Sequence, residues 1–248
     1  MSRLIQDIYA SRKVVGKSGR IHELNSHIGQ EKGEFLYRLI TDDPTIVKTL
    51  EVGCAFGLSS LWICQATRGR AGAHHTIIDP NQSTDWDSAG IRNLEEDGID
   101  YAELIESGSE FALPHLLESG MGPYDFIFID GWHTFDHTLV DCFYATRLLR
   151  VGGILALDDV DWPSVRRVVD FLLNYPCYED IGRVVWPRPR GWKGRLVLTA
   201  TAPFNPAALK KLVSPNLYRR IFDDARPRMI GLRKRSEDTR TWTWHSDF

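Results

Sequence analysis

The sequence predicts an α/β protein whose sheet is mainly parallel and covered by helices on both faces. Short apolar runs rich in β-branched and aromatic residues alternate with longer amphipathic runs between residues 46 and 173. Strands that alternate with helices of this length are typical of βαβ units, in which each helix returns the chain to a parallel strand.

The predicted elements follow from this alternation and from the glycines and Asp-Pro turns that interrupt it. Five buried strands are predicted, at 46–52, 76–79, 101–105, 124–130 and 154–157. Helices are predicted between and after them, at 58–67, 88–97, 111–118, 138–150 and 164–173. Two further helices are expected near 4–13 and 32–40.

The C-terminal part of the sheet is predicted to differ. The runs 181–185 and 195–199 are strand-like, and only the turn-rich stretch P-R-P-R-G-W-K-G lies between them. No crossover helix fits in that space, so we expect an antiparallel hairpin.

Length and composition favour a single domain that comprises residues 1–248. Its expected parts are N-terminal helices (1–45), a core sheet (46–201) and a basic C-terminal extension (202–248). No apolar run is long enough to span a membrane, and no signal peptide is evident. The four cysteines have no C-x-x-C spacing and suggest reduced thiols in a cytoplasmic protein.

Charge gives little indication of a macromolecular partner. The net charge of −3 provides no reason to expect nucleic acid or a membrane surface. Residues 206–248, however, hold ten Lys or Arg against five Asp or Glu. This segment is either a solvated tail or a contact surface for an acidic substrate or a second subunit, so a homo-oligomer stays open.

A glycine-rich turn follows the first predicted strand, in the segment 51–57. Gly53 and Gly57 allow the backbone to turn sharply and to approach a ligand closely. Tight βα turns use glycine without a ligand, but the acidic Glu51 favours S-adenosylmethionine (SAM). Ala55 replaces the middle glycine of the dinucleotide pattern, which argues against a nicotinamide or flavin enzyme.

Asp79 ends the second predicted strand, where a carboxylate can accept both ribose hydroxyls of an adenosine. The alternative is a turn or capping aspartate before Pro80. After the third strand, the small residues of S-G-S-E (107–110) would let an adenine ring lie close to the backbone. There, Ser107 or Ser109 is also a candidate helix N-cap.

Three carboxylates are predicted to meet at the carboxyl edge of the sheet. Asp130 ends the fourth strand, and Asp158 and Asp159 end the fifth. They would repel one another unless a cation lay among them, and oxygen ligands of this kind suit Mg²⁺. Alternatively, only one or two line the crevice. Asp161 either belongs to the cluster or caps the next helix.

His133 follows Asp130 by three residues and should face the same crevice. A helical pair of metal ligands with His137 is a further hypothesis, but no third His or Cys has suitable spacing.

These segments resemble the class I SAM-dependent methyltransferases, and among them the metal-dependent enzymes of the catechol O-methyltransferase type. L-E-V-G-C-A-F-G resembles their glycine-rich motif, I-D-P-N-Q their ribose turn and G-S-E their adenine turn. S-H-I-G-Q-E-K-G resembles the segment over the methionine part of SAM. F-I-D-G-W-H and L-A-L-D-D resemble the segments with the metal ligands. The catechol enzymes have Lys at His133 and Asn at Asp159, so the chain looks more like bacterial enzymes that methylate sugar hydroxyls of natural products.

The resemblance implies a Rossmann-like, doubly wound sheet of seven strands, mostly parallel, with a C-terminal antiparallel strand. It implies SAM contacts from several strand ends and the N-terminal segment: His27, Ile28, Glu51, Gly53, Phe56, Gly57, Ser59, Asp79, Ser109, Glu110, Asp130 and Trp132. Asp130, Asp158 and Asp159 would bind Mg²⁺ or another divalent cation, and His133 would be the catalytic base.

The sequence therefore predicts methyl transfer from SAM to a hydroxyl of a small molecule with neighbouring oxygens, such as a sugar, a catechol or a natural product. Two alternatives stay open: a metal-independent SAM methyltransferase acting on another acceptor, and a SAM-binding module without catalytic activity.

Overall fold

The computed structural model of the protein describes residues 1–187 and 225–246. In the described ranges, the helices are α1 Arg3–Ser11, α2 Gln30–Thr41, α3 Leu58–Thr67, α4 Ala89–Glu96, α5 Ser109–Glu118, α6 Phe135–Leu148 and α7 Pro163–Leu172. The strands are β1 Lys13–Val15, β2 Ile21–Glu23, β3 Lys48–Val52, β4 His74–Ile78, β5 Ala102–Ile105, β6 Tyr124–Ile129, β7 Leu149–Leu157, β8 Tyr178–Pro187 and β9 Ala225–Lys234.

Seven of these strands form one sheet, in the order β5-β4-β3-β6-β7-β9-β8. Strands β3 to β7 pair in parallel, and β9 pairs with β7 in the antiparallel direction. The predicted fold class, a mostly parallel seven-stranded sheet with an antiparallel C-terminal strand, is confirmed. The helices α1 and α2, the four between the parallel strands, and α7 also lie within a few residues of their predicted positions.

The predicted C-terminal hairpin can be compared with the structure in only one of its two strands. Residues 181–185 belong to β8 as expected, but the neighbour of β8 in the sheet is β9. The other predicted strand, 195–199, lies outside the described residues. Strand β9 comes from the segment that the sequence analysis assigned to a basic extension, which therefore contributes a strand to the sheet. The small hairpin of β1 and β2 was not predicted, because three-residue strands leave almost no periodic signal.

Several basic residues of this C-terminal segment have structural contacts. The ammonium group of Lys234 is buried, and it donates to the carbonyl oxygens of Thr146 and Leu149 at 3.0 and 2.8 Å. Arg240 pairs with Asp238 at 2.7 Å, and its guanidinium lies 3.2 Å from the ring centre of Tyr175. In its described part, the segment is therefore packed against the sheet and α6 and is not a purely solvated tail.

The chain divides into two compact units, Met1–Val184 with Met229–Phe248, and Val185–Arg228. In the second unit, the guanidinium of Arg228 lies 4.5 Å from the ring centre of Trp186. The organisation into a single domain stays a prediction. No helix in the described ranges has the length and apolar character that crossing a membrane requires.

The central strand β6 shows how the sheet is covered on both faces. Phe126 and Phe128 pack into one buried cluster, together with residues of α1 to α4. Ile127 and Ile129 pack into the other, together with residues of α5 to α7. Since neighbouring residues of a strand point to opposite faces, an unbroken apolar run is what a doubly covered strand requires. Burial of each such side chain stabilises the fold by about 1.5–3 kcal/mol.

Gly53 directly follows β3 and has a φ of +89°, in the left-handed region. A Cβ atom there would collide with the backbone carbonyl oxygen of Asp130. We expect Gly53→Ala to lower the free energy of unfolding by about 2–5 kcal/mol, from backbone strain and overpacking together. Urea denaturation measures this loss.

The matched control is Gly69→Ala. Gly69 also has a positive φ, of +76°, but nothing lies within 4 Å of the position that a Cβ atom would take there. Its loss should be only about 1–2 kcal/mol, the cost of the left-handed conformation alone. Equal losses for the two variants would contradict the close approach of Gly53 and Asp130.

Candidate active site

Strand register places the predicted site residues along one edge of the sheet. Four neighbouring strands end in one row of mutually paired residues: Val52, Ile78, Ile129 and Leu157. The next residue of each strand lies at the same edge: Gly53, Asp79, Asp130 and Asp158. The carboxyl ends of parallel strands are where open α/β sheets bind ligands. The predicted residues therefore lie together at the edge where the sequence predicts a ligand crevice.

Asp79 holds the glycine-rich turn in place. Its Oδ2 accepts hydrogen bonds from the backbone N–H groups of Cys54 and Ala55, at 3.0 and 2.8 Å, and from the side chain of Gln82. Its Oδ1 accepts one bond, from the N–H group of Asn81 at 2.9 Å. The turn aspartate considered in the sequence analysis is therefore present. A carboxylate oxygen has two lone pairs, so Oδ1 retains acceptor capacity for a ribose hydroxyl.

Glu51 is deeper than the sequence analysis assumed. Its side chain has no exposed surface, and Oε2 accepts from the hydroxyl of Ser60 and lies 3.3 Å from Nε2 of His75. Ser60 belongs to α3, which begins directly after Gly57. In this structure the Glu51 carboxylate fixes the start of α3, and a direct contact with SAM stays a prediction.

Asp130, His133 and Asp159 form a cluster at the end of β6 and β7. Ligand atoms of all three residues lie within 4.8 Å of one another. Nε2 of His133 is 3.4 Å from Oδ1 of Asp130 and 3.3 Å from Oδ2 of Asp159. The hydrogen bond with Asp130, together with the nearby carboxylates, raises the pKa of His133 against the opposing effect of burial.

Asp158 is directed to a different partner, Lys32 of helix α2. The Lys32 ammonium lies 2.6 Å from Oδ1 of Asp158 and 3.2 Å from Oδ1 of Asp159, and its side chain is only 6% exposed. The sequence analysis gave Lys32 no role, although it lies in the S-H-I-G-Q-E-K-G segment. Two of the three predicted metal ligands are therefore already bound to an internal cation.

Burial and mutual repulsion set the protonation of these groups. Burial raises the pKa of Asp130 and of Asp158, and the charge of each neighbouring carboxylate adds to the rise. Burial also disfavours the Lys32 ammonium, but the carboxylates around it outweigh this effect and raise its pKa. On balance the charged forms of Asp130 and Asp158 are therefore disfavoured, whereas the charged form of Lys32 is favoured by the carboxylates around it.

The donor chemistry of the cluster fits a divalent cation. Carboxylate oxygens from Asp130 and Asp159 suit Mg²⁺ or Mn²⁺, and an imidazole nitrogen from His133 suits Mn²⁺ better than Mg²⁺. Asp158 lies outside this set, and Lys32 contacts its Oδ1. His137 is directed elsewhere, with Nδ1 at 2.8 Å from the hydroxyl of Thr134. Asp161 does not cap α7, whose N-cap residue is Trp162.

The remaining predicted SAM residues are distributed around the glycine-rich turn and the two following loops. Ile28, Phe56 and Ser59 are buried, and the carbonyl oxygen of Ile28 accepts from the hydroxyl of Tyr9 at 3.0 Å. His27 Nδ1 is buried without a hydrogen-bond partner among the described residues. Burial, with the nearby Arg12, lowers the pKa of His27.

The S-G-S-E segment (107–110) differs from the sequence analysis in one detail. Gly108 is the N-cap residue of α5, and no side chain caps that helix, so the predicted capping by Ser107 or Ser109 was wrong. Glu110 is exposed in the first turn of α5.

Two tryptophans flank the cluster on the exposed side. Trp132 is 66% exposed. The ring of Trp162 stacks on His133, with 5.3 Å between ring centres, and is 52% exposed. Large exposed rings beside a crevice offer a flat apolar face to a ligand ring.

Asp141 is a buried carboxylate that the sequence analysis missed. It belongs to α6 and is 1% exposed, and neither oxygen makes a hydrogen bond to a described residue. Oδ2 is 3.7 Å from the position that a Cβ atom on Gly131 would take, and the Ser109 side chain is near enough to affect the pKa of the carboxylate. Burial raises its pKa to about 6, although Ser109 lowers it in part. Spacing could have indicated it, since it is the acidic residue on the buried face of α6.

The pKa of Asp141 predicts how stability depends on pH. Because the folded pKa exceeds the ordinary value of 3.8, the folded protein binds more protons than the unfolded chain between pH 4 and 6. Stability contributed by this group therefore falls as pH rises through that window. Asparagine does not titrate, so the Tm of Asp141→Asn relative to wild type should rise between pH 4 and 7.5, by an amount equivalent to at most roughly 3 kcal/mol.

Asp136→Asn is the matched control on the same helix. Hydrogen bonds from Thr134 and backbone N–H groups lower the pKa of Asp136, which is exposed. Because this pKa lies below 3.8, Asp136 titrates below the measured range, and its Tm difference should stay nearly constant from pH 4 to 7.5. A Tm difference for Asp141→Asn that stays constant from pH 4 to 7.5 would show that Asp141 has an ordinary pKa.

Comparisons with known proteins agree with this geometry. A family described as "Methyltransferase domain" matches residues 50–160. The chain is 29% identical over 166 residues to catechol O-methyltransferase B of Danio rerio, covering 65% of this chain and 60% of the relative. It is 27% identical over 135 residues to catechol O-methyltransferase of Niastella koreensis, covering 54% of this chain and 58% of the relative. The chain thus spans about 60% of the length of these relatives.

A solved structure shares the fold over nearly the whole chain. The O-methyltransferase from Bacillus cereus, in complex with SAH, superposes with a TM-score of 0.64 at 15% identity. The superposition covers 94% of this chain and 92% of that one. At this identity the likeness establishes the fold. The domain match includes the glycine-rich turn, Asp79, Asp130 and Asp159. With the two catechol O-methyltransferase relatives, it agrees with the resemblance to class I SAM-dependent methyltransferases stated from the sequence.

Proposed function

We propose that this protein transfers a methyl group from SAM to a hydroxyl of a small molecule with neighbouring oxygens, and that it uses Mg²⁺ or another divalent cation. The observation that carries the proposal is the single row of Gly53, Asp79, Asp130 and Asp158, with Asp159 and His133 beside it. At one end of this row lies the glycine-rich turn with Asp79, and at the other end lies the carboxylate cluster. A nucleoside and a cation are the ligands that these two ends suit.

The SAM end is supported by the turn between β3 and α3. Gly53 and Gly57 both have positive φ, and they lie so close to the backbone of Asp130 and Gly90 that a Cβ atom would not fit at either position. Asp79 would accept ribose hydroxyls through Oδ1. Ser109 and Glu110 begin α5, and Trp132 follows β6; the resemblance implies SAM contacts for all three. His27 and Ile28 precede α2, where the resemblance places the methionine part of SAM.

The acceptor end is supported by the cluster around His133. Methyl transfer from a sulfonium is an in-line displacement, so the protein must align the acceptor oxygen with the methyl group and help remove the hydroxyl proton. A cation held by Asp130 and Asp159 would lower the pKa of the acceptor hydroxyl. His133 is the proposed base, held by the two carboxylates and by the stacked ring of Trp162.

The metal-independent alternative has one observation in its favour. Lys32 already neutralises Asp158 and part of Asp159, so the carboxylates do not require a metal ion to remain together. In that case His133 alone would remove the proton. Location in the cytoplasm, a homo-oligomer and the absence of nucleic acid or membrane partners stay predictions from the sequence.

Transfer of labelled methyl from SAM tests the proposal directly. Purified protein is incubated with radiolabelled SAM and a panel of catechols, vicinal diols and sugars. We expect transfer to at least one acceptor with adjacent oxygens, loss of transfer in EDTA, and recovery with Mg²⁺ or Mn²⁺. Equal rates with and without EDTA would establish the metal-independent alternative. Tight NAD binding without SAM binding would reject the methyltransferase proposal.

His133→Ala distinguishes the two roles that the geometry allows this residue. If His133 is the base, kcat should fall by about 10²–10⁴-fold while Mn²⁺ affinity changes little. His137→Ala, four residues later and bonded to Thr134, is the control and should retain activity. A loss of Mn²⁺ affinity comparable to the loss of kcat would identify His133 as a ligand. Wild-type kcat would exclude both roles.

A further inference from the structure

Lys32 is the part of this site for which the comparison with methyltransferases assigns no role. It is in the first turn of α2, whose inner face packs on α3, and its side chain reaches the ends of the sheet strands. Lysine is rarely buried, because removing an ammonium from water is costly unless opposite charges surround it. Asp158 and Asp159 supply those charges.

The two aspartates present their oxygens to different partners. Oδ1 of Asp158 lies against Lys32 and also accepts the backbone N–H of Asp159 at 2.7 Å. Oδ1 of Asp159 faces Lys32, whereas its Oδ2 faces His133. Asp159 is therefore shared between the ammonium and the proposed cation cluster. Asp158 contacts Lys32 but does not belong to the cluster of Asp130, His133 and Asp159.

The positive charge of Lys32 should weaken the binding of a metal cation beside it. An ion bound by Asp130 and Asp159 would lie in the field of the ammonium, and like charges a few ångströms apart repel by several kcal/mol at the effective dielectric of a protein. An ion that also used Oδ2 of Asp158 would share this carboxylate with Lys32, which contacts Oδ1. Both arrangements weaken binding relative to the same carboxylates without the lysine.

We propose that Lys32 is a built-in cation of the site: it holds Asp158 and Asp159 together before a metal ion binds, and it sets a low affinity for that ion. This inference rests on the metal-binding part of the proposed function. It makes Lys32 a positioning residue of the carboxylate cluster, acting without contact with the acceptor.

Calorimetric titration of Mn²⁺ into the EDTA-treated and dialysed full-length chain tests the inference. Lys32→Met removes the charge and keeps most of the side-chain volume. We expect it to bind Mn²⁺ at least about tenfold more tightly than wild type. Lys32→Arg retains the charge, and its affinity for Mn²⁺ should stay within about threefold of the wild-type affinity.

Thermal unfolding gives a second readout that does not depend on catalysis. Without metal, Lys32→Met should have a lower Tm than wild type, because the carboxylates lose their counter-charge. Saturating Mn²⁺ should raise its Tm by more than it raises that of wild type, since stabilisation by a ligand grows with its affinity. If metal-free Lys32→Met does not fold, Lys32→Gln, whose amide can still donate to Asp158, serves for both measurements.

The outcomes separate this inference from the proposal on which it rests. Wild type that binds Mn²⁺, with neutral variants that bind it equally or less tightly, would overturn the role of Lys32 alone. No Mn²⁺ binding by wild type or by any variant would overturn both the role of Lys32 and the metal-binding part of the proposed function. SAM binding, measured in the same samples, shows that the protein is intact.

Discussion

Charge balance among three carboxylates is the constraint on which the site depends. Parallel pairing of β6 with β7 brings Asp130 and Asp158 to adjacent strand ends, and Asp159 follows directly. Two like charges 4 Å apart cost about 4 kcal/mol at an effective dielectric of 20. The structure offsets this repulsion with Lys32 and with His133, whose pKa the same carboxylates raise. The positive charge of Lys32 comes from a helix more than a hundred residues earlier in the chain, so the N-terminal segment is required to assemble the site.

The aspartates at this edge of the sheet are stabilised in two different ways. Asp79 is satisfied by N–H donors from the glycine-rich turn and from Gln82, and it has no cationic partner among its hydrogen bonds to the described residues. Asp130, Asp158 and Asp159 depend on positively charged groups. The first arrangement orders the glycine-rich turn, and the second brings opposite charges together. The proposed nucleoside end and the proposed reaction end of this edge therefore differ in how their carboxylates are stabilised.

The sequence predicted the site best where functional residues directly follow a strand. Each apolar run ends at a definite residue, and parallel pairing brings the ends of neighbouring strands together. Gly53, Asp79, Asp130 and Asp158 could therefore be placed at one edge of the sheet without coordinates. Side-chain direction could not be obtained in this way. The burial of Glu51 against Ser60 and His75 depends on the packing of α3 over β3 and β4. Lys32 and Asp141 were missed for the same reason, since each reaches its partners from a helix.

Strand β9 was missed because its pairing is not local. Its short apolar core, M-I-G-L, is surrounded by Pro227 and basic residues, which favours a loop on sequence alone. Its partner β7 lies far earlier in the chain, and the burial of Lys234 depends on carbonyl groups at the end of α6. Local patterns therefore predicted a hairpin within 181–199, whereas the sheet places β9 between β7 and β8.

Crystals grown with SAH and Mn²⁺, measured for the anomalous signal of manganese, test most directly whether the carboxylate cluster is a cation site. The account predicts one anomalous peak bounded by Asp130 and Asp159, with the nucleoside of SAH over the glycine-rich turn beside Asp79. Density for SAH without any manganese peak at these residues, and with Lys32 still joined to Asp158 and Asp159, would contradict it.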